Sequence, residues 1–442
     1  MTPPPELRGG LFGGVGRRLR HDPLGTLQAA SRLGDVVLLR AGWERYYLLR
    51  SPDHIKHVLQ DHHGNYRKQT APYLRSRALF GDGLLTLEGE AWRPRRRLVQ
   101  PGLQRHALEG YTAIMECAAS ELASRLQARV DSGGLVDMAA ELTSTTFSVL
   151  SRTLLGSEPP GLASKVSEWS ALVGQHLSAA VVLPRWIPTT ANRRMRRVVG
   201  ELDELVQGLV CAARAAAEPR GDLLTRLIHG RDAQTHEGLT DGQLRDEVMT
   251  MFFAGSETTA AALTWTFFLL AAHPEAQARL RAELDANVGA RAPTAADVEH
   301  LDYARMVLEE AMRLYPPAWS ISRRAAEDDS IGGHRIPAGG VALVSPWVTH
   351  RLPELWDNPD EFVPERFAPG RAESLPRFAY FPFLGGPRQC VGARYSNLEA
   401  SILLATVIQR FRFKLFPLLP VHPEPWVTLR PRGGLHLIVK NA

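Results

Sequence analysis

The run Phe383-Leu384-Gly385-Gly386-Pro387-Arg388-Gln389-Cys390-Val391-Gly392 ends a stretch that glycine and proline force out of regular structure on a single cysteine. An apolar helical pattern follows, with Leu398, Ile402, Ala405 and Ile408 on one face. Cys390 therefore falls at or just before a helix N-terminus, where unpaired N–H groups and partial positive charge favour thiolate over thiol. A thiolate held in a rigid loop is a good axial ligand for haem iron. Arg388 is placed to pair with a haem propionate, and Phe383 to shield the sulfur from solvent.

Three further constellations accompany this loop. Ala254-Gly255-Ser256-Glu257-Thr258-Thr259 interrupts an apolar stretch from Met249 to Ala272. Gly255 is expected to let a small ligand approach the backbone. Glu257 and Thr258 set an acid beside an alcohol where polar groups are costly to bury. The Thr258 hydroxyl has a plainer use, a back-bond to the Ala254 carbonyl. Glu310 and Arg313 share a helix face that Pro316-Pro317 ends, and Phe362-Val363-Pro364-Glu365-Arg366-Phe367 lies downstream. Trp92-Arg93-Pro94-Arg95-Arg96-Arg97 is basic, and its proline is expected in a first helical turn.

Together these segments resemble the cytochrome P450 family, the haem-thiolate monooxygenases. The cysteine loop matches every fixed position of the family pattern: Phe, two residues, Gly, one, Arg, one, Cys, one, Gly. The resemblance implies that Cys390 is the iron ligand of a haem b. It implies that Glu310, Arg313 and Arg366 form a buried network with a folding role. The segment 254–259 is similar to the family's oxygen-activation motif. Thr258 would then hydrogen-bond the oxygen under activation, and Glu257 would connect bulk protons to it. Trp92 and Arg96 match a propionate-binding helix, with the register among the neighbouring arginines open. Arg323 matches a further propionate position, with Arg324 as its adjacent competitor.

The activity so implied inserts one atom of O2 into an apolar substrate and reduces the other to water. A terpenoid, a polyketide or macrolide, or another secondary metabolite is the favoured substrate class, and a fatty acid the next. Because the stretch after Cys390 is too short for a flavin or iron–sulfur domain, electrons from NAD(P)H are expected through a separate ferredoxin and ferredoxin reductase. Arg93 to Arg97 would help to dock that acidic partner. Pocket walls are expected from Phe252, Phe253 and Ala254 and from Ala318, Trp319, Ser320 and Ile321, with Tyr73 to Phe80 as a lid. A peroxide-using haem-thiolate enzyme and a non-catalytic haem sensor are the rival readings. Nucleic-acid binding through the arginine clusters has no reading motif to support it.

These groups sit in a chain of 442 residues, 44% apolar and 22% charged. That composition excludes collagen, coiled coil and bulk disorder, and the length suffices to bury a core without staples. The net charge of +5 is a mild basic excess. Three cysteines argue against a disulfide framework and for a reducing, cytoplasmic location. Cys117 and Cys211 are expected as small apolar fillers on helices. Glu257 makes the 249–272 stretch a buried helix rather than a membrane span, and no secretory signal or membrane anchor is expected. A hairpin is expected around Ala41-Gly42-Trp43, a helix from Pro52, successive amphipathic helices from Ala107 to His229, and strands at 341–344 and 435–439. The fold class is thus mainly α with small β-sheets. A single large domain over 1–442 is expected, with residues 1–10 flexible.

Overall fold

The structure, a computed structural model, describes residues 2–8, 14–179, 186–215 and 221–442. Helices predominate and the sheets are small, as the sequence implies. The chain divides into two compact units. One comprises Met1–Tyr73, Met306–Cys390 and Pro423–Leu429, and the other Leu74–Arg305, Val391–His422 and Arg430–Ala442.

The first unit is built on a five-stranded sheet. Val36–Ala41 pairs antiparallel with Glu44–Leu49 through the hairpin at Gly42, which takes φ +63°. Glu44–Leu49 runs parallel to Val341–Val344, which pairs antiparallel with Ile321–Ala325; Tyr66–Arg67 closes the edge. Side chains alternate across a strand, so one sheet feeds two cores. Val36, Leu38, Tyr47 and Leu49 enter one cluster, and Val37, Leu39 and Leu48 the other. Within the first ten residues, Met1, Gly9 and Gly10 lie outside those described; the Leu7 N–H donates to Leu38 O, and the Leu38 N–H to Pro5 O. The helix Pro52–Lys56 runs on into a single π-turn, His57–Asp61.

The second unit is organised around the 32-residue helix Asp241–Ala272, opened by a reciprocal capping box between Thr240 and Gln243. Its buried residues lie all round the helix rather than on one stripe, Trp265 and Phe267 among them, as befits an interior element. Met138–Leu155 packs along it, and the Thr146 hydroxyl donates to Ser256 O at 3.0 Å. Between 107 and 229, the described residues contain Thr112–Asp131, Met138–Leu155, Leu162–Ser178, Thr190–Ala215 and Leu223–His229, the expected helical succession. One short strand, Leu135–Asp137, interrupts it and pairs with His436–Asn441. No helix among the described residues is long and apolar enough to cross a membrane.

Cys117 and Cys211 are exposed, not core fillers. Helical register decides the matter for Cys117. Met115, Ala118, Ala119 and Leu122 form the buried face, which leaves Cys117 outward beside Glu121, with Sγ to Oε1 at 3.4 Å.

Candidate functional site

The first unit presents Cys390. Its loop is closed by backbone bonds: Leu384 N–H to Phe381 O at 2.9 Å, Gln389 N–H to Gly386 O at 3.1 Å, and Cys390 N–H to Phe383 O at 3.0 Å. Two residues take left-handed backbone, Leu384 at φ 60° and Gly386 at φ 69°. The leucine stores strain of about 1–3 kcal/mol, which persists only where the surroundings over-determine it. Gly386 is obligatory, because a Cβ there would lie 2.1 Å from the Leu59 carbonyl oxygen of the π-turn. Cys390 itself is exposed at the end of this rigid turn, while Phe383 and Arg388 are half-buried. The helix Ala393–Arg410 begins three residues later in the chain.

A buried scaffold braces the loop. Arg313 is wholly buried and spends all its donors. Nε and Nη2 bond the two oxygens of Glu310 at 2.6 and 2.8 Å, while Nη1 reaches the carbonyls of His350 and Pro359 and Nη2 that of Glu361. Arg366 Nε donates to Glu310 Oε1 at 3.3 Å, and the Val363 N–H to the same oxygen at 2.9 Å. The network expected of Glu310, Arg313 and Arg366 therefore forms. Its extension is His350, which the sequence reading missed. Its Nε2 accepts the Phe381 N–H at 3.0 Å, so it carries the link from the arginine to the cysteine loop. Burial, with Arg313 and Arg351 nearby, holds this imidazole neutral, as an acceptor must be.

Arg323 is 4% exposed in the strand Ile321–Ala325. Its Nη1 donates to the Tyr73 hydroxyl at 2.8 Å and to Ser322 O at 2.9 Å, and no carboxylate pairs with it among the described residues. A buried guanidinium without an anion costs several kcal/mol, so the site is suited to an acidic ligand. Arg324 differs: it is committed to Gln69 O, Gly339 O and Glu44. Tyr73 was expected in a lid, but its hydroxyl serves this arginine. The helix Ala71–Phe80 that carries Tyr73 ends on Phe80, which is fixed in an aromatic cluster with Trp169 and Phe253.

In the second unit, the helix Asp241–Ala272 leaves Ala254 exposed between buried Phe253 and Ser256. Glu257 and Thr258 are half-buried there. The Thr258 hydroxyl donates to Ala254 O at 2.7 Å, so the back-bond anticipated as its plainer use is present; the oxygen's lone pairs still offer an acceptor. Gly255 serves packing rather than ligand approach, since a Cβ there would meet Leu150 Cδ2 at 3.0 Å. Phe252 and Phe253 are buried against Phe147 and against Phe80 with Trp169, so Ala254 alone of that trio is exposed. The Trp319 indole is likewise committed, donating to Trp426 O at 2.9 Å.

Trp92 and Arg96 are one turn apart on the helix Gly89–Val99 and both half-buried, while Arg95 points the other way into an ion pair with buried Glu247 at 2.8 Å. That commitment leaves Arg95 unavailable for a propionate. Pro94 is the sixth residue of this helix, beyond the first turn expected for it. The proline forgoes its bond to the carbonyl of Glu90, an exposed residue whose oxygen water can satisfy.

Glu399 was not singled out from the sequence, although a glutamate inside the apolar face of 398–408 is a signal. It is wholly buried beside Thr259, whose hydroxyl shares a 2.9 Å bond with Ser396. Burial raises its carboxyl well above the usual range, which favours the neutral form. Because the folded pKa is raised, folding takes up a proton once the pH exceeds the unfolded value near 4.5, and stability falls as pH rises from there. Glu399→Gln is expected to flatten that fall, read as the urea midpoint between pH 5 and pH 8; an unchanged slope would contradict the neutral assignment.

Thus Trp92, Arg96, Glu257 and Thr258 belong to one unit, and Arg323, Phe383, Arg388 and Cys390 to the other. Within the unit that holds Cys390 and Arg323, the donor set suits a haem. An exposed cysteine on a preformed loop is a thiolate donor, and buried Arg323 lacks the anion that a propionate would supply.

A family model described as Cytochrome P450 matches residues 3–437. Cyclooctatin synthase of Streptomyces melanosporofaciens is 34% identical over 431 residues, covering 95% of this chain and 92% of that protein. Pentalenene oxygenase of Streptomyces avermitilis is 33% identical over 416 residues, covering 93% and 91%. Among solved structures, the crystal structure of the cytochrome P450DA heme domain superimposes with a TM-score of 0.92 at 25% identity, over 100% of this chain and 98% of that one. The chain belongs to the cytochrome P450 family and is an enzyme of its monooxygenase type.

Proposed function

We propose that this chain is a haem b-dependent monooxygenase that hydroxylates or otherwise oxygenates a terpenoid secondary metabolite in the cytoplasm. A separate ferredoxin and ferredoxin reductase bring the electrons from NAD(P)H. The exposed Cys390 thiol on its closed loop carries the reading. The names of the relatives support the substrate class: cyclooctatin synthase, cyclooctat-9-en-7-ol 5-monooxygenase and pentalenene oxygenase. The exposed Ala254, preceded by buried Phe252 and Phe253, suits a hydrocarbon skeleton.

The haem, when bound, supplies the oxygen chemistry. Cys390 would ligate the iron through Sγ and push electron density towards it. Phe383 would keep water from the sulfur once the haem is bound. Arg323, oriented by Tyr73, would hold a propionate, and Trp92, Arg96 and Arg388 are the further candidates for that role. Thr258 accepts and passes on a proton at its hydroxyl, and Glu257 resupplies it.

Thr258→Ala tests the relay. The variant is expected to retain haem and substrate but to divert electrons to hydrogen peroxide, lowering product formed per NAD(P)H consumed by about tenfold or more. Unchanged coupling would mean that the hydroxyl serves only its back-bond to Ala254. The substrate class is tested by spectral titration. A cyclic diterpene or sesquiterpene alcohol should shift the Soret band at lower concentration than a long-chain fatty acid does.

A further inference from the structure

We propose that His57, His62 and Asp329 form a binding site for a divalent transition ion of the zinc class, separate from the haem iron. One ligand atom from each of the three side chains lies within 4.8 Å of the other two. Metal–ligand distances near 2.0–2.2 Å require donor atoms about 3.4 Å apart in a tetrahedral site. His62 is exposed, so its ring has room to turn towards the other two ligand atoms.

The backbone explains why these residues meet. In an α-helix, residues five apart diverge around the axis. Here the chain makes a π-turn over His57–Asp61, closed by the His62 N–H to His57 O at 2.8 Å. The wider turn stacks the two imidazoles at 4.0 Å between centroids with an interplanar angle of 17°. π-Turns are rare and recur at functional sites. Two charged imidazoles would repel at that spacing, whereas two neutral ones offer lone pairs to a shared cation.

Asp329 is pre-positioned. It opens the strand Asp329–Ile331, which pairs with His334–Ile336. The preceding segment is pinned by Asn65, whose side chain accepts from the N–H groups of Ala326 and Glu327. Its Oδ2 lies 2.7 Å from His57 Nε2 and accepts the Tyr66 hydroxyl at 2.7 Å, and its Oδ1 accepts the Ser330 N–H. An ion would replace the proton shared between His57 and Asp329, and Tyr66 would orient the ligating carboxylate from behind. Two imidazoles and a carboxylate favour zinc, nickel, cobalt or copper over magnesium or calcium.

The test is calorimetric titration of Zn2+ into untagged, haem-loaded protein treated with chelator, with Mg2+ as the control. Cys117→Ser and Cys211→Ser in the background remove the two exposed thiols elsewhere. The expected result is one Zn2+ per chain and no saturable Mg2+ binding. His62→Ala, at an exposed side chain, and Asp329→Asn should each abolish the stoichiometric step. Tyr66→Phe should weaken it about tenfold to a hundredfold. An unchanged absorption spectrum of the reduced CO complex shows that each variant is folded. Absence of a stoichiometric step, equal binding of Mg2+, or binding indifferent to both His62→Ala and Asp329→Asn would overturn the site. The His57–Asp329–Tyr66 contacts would then be a hydrogen-bond chain alone.

Discussion

Cys390→Ser is expected to abolish monooxygenation, with a loss of at least about a thousandfold, equivalent to about 4 kcal/mol of barrier. The loop should survive, because its closing bonds run through the backbone: the Cys390 N–H donates to Phe383 O, and serine keeps that donor. What changes is the ligand. An alcohol stays protonated at neutral pH and donates little electron density, whereas a thiolate favours O–O cleavage. Haem retention should fall, and the reduced CO complex should lose its thiolate signature. Retention of both activity and signature would remove Cys390 from the iron.

Glu310→Gln should produce the largest stability loss. Glu310 and Arg313 are wholly buried, and the carboxylate also holds Arg366 and the Val363 N–H. Taking away the negative charge leaves Arg313 buried without its counterion, and breaking such a pair costs about 3–5 kcal/mol. Because Arg313 also holds His350 O, and His350 accepts the Phe381 N–H, the damage should spread to the cysteine loop. The readout is the urea midpoint together with the fraction of reduced CO complex that keeps thiolate character. A midpoint within experimental error of the parent protein would show that the network is dispensable.

The cysteine loop was legible in the sequence because its chemistry is local. Glycines, a proline and a cysteine at fixed spacing admit few backbones, and the structure supplies one of them, left-handed at Leu384 and Gly386. The hairpin at Gly42 and the long apolar helix were legible for the same reason, since a turn and a periodicity are read within a short window. What depends on neighbours distant in sequence was not legible. Gly255 looked like room for a ligand and is room for Leu150. Arg95 and Arg96 are indistinguishable as letters, and Glu247, 152 residues away, decides which is buried. Phe252 and Phe253 have the composition of a pocket wall but are turned into aromatic contacts. His350 gave no sign at all, because its task is set by a backbone N–H at Phe381. Arg323 against Arg324 was likewise undecidable until Glu44, Gln69 and Gly339 were seen to occupy the second.

The most direct test of thiolate ligation by Cys390 is the absorption spectrum of the dithionite-reduced protein with and without carbon monoxide. The predicted result is the strongly red-shifted Soret band of ferrous haem with an axial thiolate. A Soret band at the position given by histidine ligation, or a preparation that takes up no haem, would contradict the assignment of Cys390 and the reaction built on it.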